Sequence, residues 1–367
     1  MSTRILPAVI AVLVGAALAI VLLVPFVAAS YRRRGELGWG RAMLAAGALV
    51  YALALVAYVV LPLPAPDEVC PGGVAAVGPQ LRPFEFVLDV AKYQVANPLR
   101  NPAIQQVLFN VALFVPLGAF LRYLGRRSVL VATAAGFGVS LLIEVTQLTG
   151  DWFLYPCPYR LFDVDDLIAN TTGALLGALA GPLLRFVPGQ RLHTAAPGEP
   201  RPITIPRRLL GVLCDLLGVW LTGAVLTVAL RMVLLLTGDD LVPAPVWLAP
   251  VEAALGGWLP WLALFVVVPM IGRGGTVGQR AVLLRPAMPD GEVPGRGRLV
   301  ARSILGVGGY VLLQAADTTG GLAFLWGLVS LIGIVRSTGR RGIAGRLTGT
   351  VLVDRRSEMS LAQPTSR

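Results

Sequence analysis

Charged residues are scarce in this sequence, at 14% of 367 residues. Soluble domains carry roughly 25% charge, so the chain lacks much of the charge that a water-exposed surface needs. It is apolar instead, with 56% hydrophobic residues and a mean hydropathy of +0.74. The apolar residues form long blocks of about 20 residues, the length of a helix that crosses a bilayer. This composition excludes an ordinary soluble globular fold.

Lysine, histidine and cysteine are also nearly absent. Only Lys92 among the 31 basic residues is a lysine, and the chain has one histidine and three cysteines. No Cys/His cluster has the spacing of a zinc site, and no Gly-x-Ser-x-Gly motif marks a serine hydrolase. The net charge of +11 does not indicate nucleic-acid binding, because the basic residues lie between apolar blocks and not on one face of a soluble domain.

Nine apolar blocks predict an all-α fold, a polytopic transmembrane helical bundle, because a backbone in lipid must satisfy its own hydrogen bonds. The first block resembles a signal peptide, but its apolar run is too long and Arg32, Arg33 and Arg34 follow at once, so we interpret it as a membrane helix. The last two blocks are short and glycine-rich, which is typical of tilted, broken or re-entrant helices. The predicted spans are residues 5–29, 42–62, 103–121, 129–148, 167–184, 209–236, 246–272, 303–316 and 322–335.

The distribution of basic residues predicts the orientation of the chain. If the N-terminus is outside, 25 Lys and Arg residues fall in cytoplasmic segments and five in external segments. Basic loops stay in the cytoplasm. We therefore expect a bacterial inner-membrane protein with its N-terminus outside and its C-terminus in the cytoplasm.

A Pro/Gly-rich stretch divides the chain, because such a composition breaks helices and is typical of a linker. The polar C-terminus is expected to be disordered. The predicted parts are an extra N-terminal transmembrane helix at 1–40, a four-helix membrane domain at 41–186, a cytoplasmic linker at 187–206, a second membrane domain at 207–353 and a disordered tail at 354–367.

Two of the three cysteines fall in predicted external loops. An oxidising exterior permits disulfides, so Cys70 and Cys157 are candidates for a bridge between loops 63–102 and 149–166. The alternative is two unpaired thiols. Cys214 lies within a span, where simple packing is the expectation.

Polar side chains near one end of three predicted spans are the main candidate site. A charge inside a membrane costs about 2.5–3.5 kcal/mol on insertion scales and so requires a reason. At 1.5 Å per residue, Glu144 and Asn170 should lie roughly 6 Å below the outer boundary, and Asn110 roughly 10 Å below it. Gly173 and Gly177 continue the same helix face and favour close helix contact. The pattern predicts an outer-leaflet pocket with Glu144, Asp163 and Asp166 as candidate catalytic residues and with Asn110, Gln147, Arg160, Asp165 and Asn170 as candidate substrate-binding residues.

Two readings of this cluster stay open. In the functional one, a carboxylate in an apolar setting acts as an acid or base, Arg160 orients an anionic group, or the aspartates hold a divalent cation; no other cofactor is evident. In the structural one, aspartates cap a helix start and Arg160 pairs with Glu144. Whether the chain is an enzyme is left undecided.

The motifs of the first half resemble the VanZ-like membrane family over residues of about 40–185. They are Asn110-Val-Ala-Leu-Phe-Val-Pro116-Leu-Gly118, Glu144-x-x-Gln147 and Arg160-x-x-Asp163-x-Asp165-Asp166-x-x-x-Asn170-x-x-Gly173-x-x-x-Gly177, with Arg82-Pro83-Phe84 as a weaker feature. That family is named for a protein conferring low-level resistance to the glycopeptide teicoplanin. The resemblance implies a cell-envelope role, with a lipid-linked or cell-wall precursor or a glycopeptide as partner, and membrane lipids around it.

A second cluster lies on the predicted cytoplasmic side of the other half. Arg208 precedes Asp215 by seven residues, the loop Thr276-x-Gly278-x-Arg280 follows, and Arg302 leads into the next span. This arrangement is similar to the RDD family over about residues 203–353. The resemblance implies an Arg/Asp pair and a Thr-x-Gly-basic loop. This chain has Ala344-Gly345 where that family commonly has His-Asp, which weakens any ion-exchange role. A structural Arg208–Asp215 pair is the alternative. The residues of the second cluster are Arg208, Asp215, Thr276, Arg280 and Arg302.

Three functions are therefore weighed. The first is an envelope-acting protein whose outer pocket engages a precursor or an amphipathic antibiotic. The second is a transporter or flippase that uses Glu144 and Asp166 outside and Asp215 and Arg208 inside, although the halves share no inverted repeat. The third is a non-catalytic scaffold. The sequence does not indicate an oligomeric state.

Overall fold

The computed structural model of the chain describes residues 2–60, 79–93, 97–153, 162–190, 199–237, 245–271, 274–316 and 320–357. Within these ranges, eight helices are long and apolar enough to cross a membrane, and a further apolar helix, Gly321–Arg336, is shorter. The prediction of an all-α polytopic bundle is confirmed. The chain is a multi-pass membrane protein.

The chain divides into two compact units, which are described separately. Unit 1 contains Met1–Ala19 and Gly38–Arg191, and unit 2 contains Ile20–Leu37 and Leu192–Arg367. The division after residue 191 falls inside the predicted linker. The sequence assigned residues 1–40 to an independent helix, whereas residues 20–37 group with unit 2.

In the described residues, unit 1 contains one stretch of α1, five further helices of eight residues or more and a short helix, Gly150–Phe153. Asn101 accepts a hydrogen bond from the Ala103 amide at the start of α4, and Ser128 accepts one from the Val131 amide at the start of α5, so both helices begin at capping residues. The helices are α1 (Ser2–Arg34), α2 (Trp39–Val60), α3 (Glu85–Lys92), α4 (Pro102–Tyr123), α5 (Val129–Leu148) and α6 (Val164–Ala180), which a 3-10 turn (Gly181–Phe186) extends.

Glycines let α4 and α6 pack backbone to backbone. A Cβ atom at Gly177 would lie 1.9 Å from the carbonyl oxygen of Val115, and one at Gly173 would lie 2.2 Å from that of Val111. The predicted close contact through Gly173 and Gly177 is confirmed. This contact holds the second half of α6 against α4, on the C-terminal side of the candidate site residues of the same helix.

Unit 2 combines membrane helices with a small sheet that the sequence analysis missed. Strands β1 and β2 pair antiparallel, with Leu284 opposite Asp354. Four-residue strands are too short to show an alternating pattern, and β1 contains Pro286, which argued against a strand. The elements are α7 (Ile205–Thr237), α8 (Leu248–Met270), α9 (Val277–Ala281), β1 (Leu284–Ala287), α10 (Arg296–Ala316), α11 (Gly321–Arg336), α12 (Gly342–Leu347) and β2 (Val351–Asp354).

Helix α10 is broken at a π-helical turn, Ile304–Gly308, in which Gly306 has a non-helical backbone. Two indole N–H groups donate to carbonyls of this turn: Trp326 to Gly306 at 3.2 Å and Trp261 to Gly308 at 2.8 Å. Carbonyls freed by a helix break need such partners inside a bilayer. A break in this glycine-rich block was one of the predicted outcomes.

The first four residues of the predicted disordered tail, 354–357, are folded. Asp354 is the last residue of β2, and Arg356 is 4% exposed. The side chain of Arg356 donates to Asp354 at 2.9 Å, so residues 354–357 are folded because they carry this buried ion pair. The rest of the predicted tail, 358–367, lies outside the described residues.

Substitution of Gly177 by alanine tests the α4–α6 contact. We expect Gly177→Ala to lower the stability of the purified protein by about 1–3 kcal/mol, because the added methyl group overlaps a backbone carbonyl. Thermal unfolding in detergent, followed by circular dichroism, measures this. Gly138→Ala is the matched control, since a Cβ there meets nothing within 4 Å. Equal melting temperatures for the two variants would contradict the packing argument.

Candidate functional site

A cavity of about 510 Å³ lies in unit 1 beside α3, the first half of α4, the end of α5 and the start of α6. We call it the acidic cavity. Its described lining contains six carboxylates, five carboxamides and no basic side chain. The predicted site residues that line it are Asn110, Glu144, Gln147, Asp163, Asp165, Asp166 and Asn170.

Asp163 and Glu144 hold the start of α6. The Oδ1 atom of Asp163 accepts from the Asp165 amide at 2.8 Å, and Oε2 of Glu144 accepts from the Asp163 amide at 3.0 Å. Glu144 is 2% exposed. Burial raises the pKa of Asp163, although its hydrogen bond from Asp165 acts in the opposite direction. The capping role that the sequence offered as the structural reading is therefore present for Asp163.

Asp165 attaches α3 to the start of α6. Its carboxylate accepts hydrogen bonds from the Phe84 amide and, at 2.9 Å, from the Phe86 amide. Phe84 has a left-handed backbone with φ of 65°, which turns both N–H groups toward the one carboxylate. The backbone amide of Gln80 donates to the carbonyl oxygen of Phe162, next to Asp163, at 2.8 Å. Asp165 thus has a positioning role in addition to its place in the cavity wall.

Asp166 faces α4 and is half-buried. Its Oδ1 atom accepts from Nδ2 of Asn110 and, at 3.4 Å, from Nε2 of Gln106. Both donors are neutral side-chain amides, so the charge has no basic partner among the described residues. Of the predicted carboxylates that line the cavity, Asp166 is the one whose hydrogen-bond donors among the described residues are all side-chain amides.

Asn170 lies deeper along the same face of α6. It is 4% exposed and donates to Oγ of Ser140 on α5 at 2.9 Å. Its Oδ1 atom is buried and has no hydrogen-bond partner among the described residues. Gln147 is buried as well, at 6% exposure. Burying a carbonyl oxygen without a hydrogen-bond donor costs free energy. A donor group of a ligand would satisfy this oxygen.

Three predicted residues cannot be placed in this site. Arg160 lies outside the described residues, as do Cys70 and Cys157. Their roles as an orienting cation and a disulfide therefore stay predictions. Within the part of the chain that the structure describes, no group of three or more His, Cys, Asp or Glu side chains is arranged to hold a metal ion.

Four polar lining residues were missed: Gln80, Glu85, Asp89 and Gln106. Gln106 is four residues before Asn110 on α4, and that spacing places both on one helix face. Glu85 and Asp89 have the same spacing on α3. The signal was present, but α3 has eight residues and lies in what was interpreted as an external loop.

The second cluster is only partly as predicted. Thr276 donates to Oδ2 of Asp215 at 2.7 Å, and the Gly278 amide donates to Oδ1 at 2.6 Å. No Arg208–Asp215 ion pair is found among the described residues; both line another cavity, together with Thr276 and Arg302. Arg280 does not join them. Its guanidinium donates to carbonyls at the end of α8, Val268 at 2.6 Å and Ile271 at 2.6 Å.

A buried ion cluster in unit 2 was not predicted. Arg207 donates to Oδ2 of Asp354 at 2.9 Å and to the carbonyl oxygen of Val282 at 2.8 Å, and it stacks over Tyr31 at 5.5 Å. Arg356 donates to the same carboxylate. Burial acts to raise the pKa of Asp354, but the Arg356 and Arg201 hydrogen bonds and the charge of Arg207 outweigh it, so the pKa is lowered.

Comparison with known families matches residues 48–185 to the family model VanZ-LLP1, described as VanZ/LLP1. This segment contains α4, α5 and α6 and the predicted residues that line the acidic cavity. No curated protein and no solved structure matches the chain. The comparisons give no evidence for an RDD domain, so that resemblance stays a prediction.

Loss of the Asp165 carboxylate should release α3. We expect Asp165→Ala to speed hydrogen exchange at the amides of Phe84 and Phe86 by about tenfold or more, since hydrogen bonds to a charged acceptor contribute about 1.5–3 kcal/mol. Hydrogen–deuterium exchange mass spectrometry on the full chain measures this. Asp89→Ala is the control, because the partner of the Asp89 carboxylate among the described residues is the exposed side chain of Lys92. Unchanged exchange in the Asp165 variant would show that α3 is held in another way.

Proposed function

We propose that this chain is a bacterial inner-membrane protein of the cell envelope and that the acidic cavity is a ligand site at the outer leaflet. The composition of the cavity carries the proposal, because acids and amides from three membrane helices and α3 line one space of about 510 Å³. The family match over residues 48–185 supports an envelope role. The basic-loop count supports the outer-leaflet placement.

The chemistry of the lining favours a ligand with many hydrogen-bond donors. Carboxylates accept only, and an amide presents a carbonyl as well as an NH₂ group. Hydroxyl groups of a glycan and ammonium groups of an amino sugar or peptide are the complementary groups. Part of the cavity wall is apolar and is formed by Phe86, Val107 and Phe114. We therefore propose a lipid-linked or cell-wall precursor, or an amphipathic glycopeptide, held through its sugar or amine part.

Asp166 is the residue we propose to contact the ligand directly. Its carboxylate faces the cavity, is half-buried, and receives only the amides of Asn110 and Gln106. Asp163 and Glu144 accept backbone hydrogen bonds that hold α6. A catalytic role for these acids stays a hypothesis, and the proposal is one of binding.

For the second half, we retain the RDD-like assignment of residues 203–353 as part of the proposal. The support for this assignment comes from one loop. The quoted Thr-x-Gly loop binds Asp215 through Thr276 and Gly278, which are residues of the resemblance.

Replacing Asp166 by asparagine tests the proposed ligand site. The side chain keeps its size and can still accept from Asn110, so we expect normal protein levels. Binding of a fluorescent lipid-linked cell-wall precursor, or of a glycopeptide, to the full chain in nanodiscs should weaken about tenfold, because one charge-assisted hydrogen bond is lost.

Asp290→Asn is the control for this experiment, since Asp290 is an exposed carboxylate in unit 2 and its loss removes the same charge. Equal affinity of both variants and the unchanged protein would refute the proposed role of Asp166. Loss of folded Asp166→Asn protein, with Asp290→Asn normal, would favour the scaffold.

Reporter fusions test the proposed orientation. Green fluorescent protein fused after Arg367 should fluoresce, and alkaline phosphatase fused there should be inactive, because the C-terminus is predicted to be cytoplasmic. The reverse pattern would place the acidic cavity at the inner leaflet. Fusions after Arg34, which ends α1, provide a second cytoplasmic reference.

A further inference from the structure

Unit 2 encloses a second cavity of about 290 Å³ among α7, α10, α11, α12 and the turn at Thr276. We call it the basic cavity. Three arginines line it, Arg208 from α7, Arg302 from α10 and Arg341 before α12, and Asp215 is the one carboxylate in its described lining. The described lining thus carries two more positive charges than negative ones.

Two of these arginines are buried and poorly satisfied. Arg208 is 9% exposed, and its guanidinium forms no hydrogen bond or ion pair with any described residue. Arg302 is 4% exposed and donates to the hydroxyl of Thr350, but its Nε atom has no partner there. The buried hydroxyl of Ser303, next to Arg302, is also unpartnered in the described structure.

Asp215 compensates for only part of this surplus, since its charge attracts Arg208 without a direct ion pair. Its two oxygens already accept from the Thr276 hydroxyl and the Gly278 amide, and it carries one charge against the two of Arg208 and Arg302. Removing a guanidinium from water costs several kcal/mol unless an anion is placed against it. A second anion, supplied from outside the chain, would remove that cost.

We propose that the basic cavity binds a phosphate ester, with Arg208, Arg302 and Ser303 as its ligands. The forked guanidinium matches the oxygens of a phosphate in pairs, and the Ser303 hydroxyl supplies one more donor. Arg341, half-buried at the same cavity, adds charge. This inference concerns unit 2 and does not depend on the function proposed for the acidic cavity.

The remaining walls favour a phosphate that carries alkyl chains. Val212 and Leu216 on α7 and Leu331 and Ile334 on α11 line the same cavity. Arg208 is in the first turn of α7, and Arg302 is near the start of α10, which the predicted orientation places at the cytoplasmic surface. A phospholipid headgroup and a free phosphate share the recognised chemistry, and the test below separates them.

The test uses the full chain, purified in detergent and stripped of lipid. Dioleoylphosphatidylglycerol, dioleoylglycerol and inorganic phosphate are titrated separately at constant ionic strength, and the melting temperature is followed. We expect phosphatidylglycerol to raise the melting temperature saturably and dioleoylglycerol, which has the same chains without phosphate, to have no effect. An equal rise with inorganic phosphate would identify the phosphate alone as sufficient.

Arg208→Met distinguishes a ligand site from a structural one. Because this guanidinium has no hydrogen-bond partner among the described residues, an apolar side chain of similar length should leave the unliganded melting temperature equal or higher. The apparent affinity for phosphatidylglycerol should fall about tenfold or more. Arg296→Gln, which changes an exposed arginine at the start of α10, should respond like the unchanged protein.

Three results would overturn the proposal. One is the absence of any shift with either phosphate compound. Another is an equal response to dioleoylglycerol. The third is an Arg208→Met variant that melts lower without ligand but responds to phosphatidylglycerol as the unchanged protein does, which is the behaviour of a structural residue.

Discussion

A polar group inside a bilayer has no water to bond to, and this constraint governs where the chain places its charges. In unit 1 the acids gather where helix starts offer backbone N–H groups: Asp163 and Asp165 accept from such amides, and Glu144 accepts from the Asp163 amide. The same carboxylates that hold α3 and α6 in place also line the acidic cavity. Structure and site are therefore made by one set of residues.

Unit 2 meets the same constraint with arginines. Arg207 and Arg208 are adjacent on α7 but have different surroundings, because successive side chains on a helix point about 100° apart. Arg207 binds Asp354 and the carbonyl of Val282 and joins α7 to the sheet. Arg208 faces the basic cavity, where Asp215 is committed to Thr276 and Gly278. The fold thus pairs Arg207 directly, whereas the Nε atom of Arg208 has no hydrogen-bond partner among the described residues.

Hydropathy and polar spacing predict most of the helices and the site residues of unit 1. Blocks of apolar residues predict the spans. The 4-3-4 spacing of polar residues and glycines predicts which face of α6 packs and lines the site: Asp166, Asn170, Gly173 and Gly177. Features that depend on distant partners could not be predicted. Strand β1 needs β2, whose residue Val351 lies opposite Ala287 and 64 residues after it in the sequence. The ion pair of Arg207 likewise needs Asp354, which the sequence placed in a tail.

The two cavities also bear on transport. The transport alternative requires one solute to bind at both polar clusters. The described lining of the acidic cavity holds six carboxylates and no basic residue, whereas that of the basic cavity holds three arginines and one carboxylate. A phosphate-bearing solute suited to Arg208 and Arg302 would be repelled by Asp163 and Asp166, and an amine suited to Asp166 would be repelled by the arginines. Opposite charge preferences favour two ligands of different chemistry over one solute carried through both.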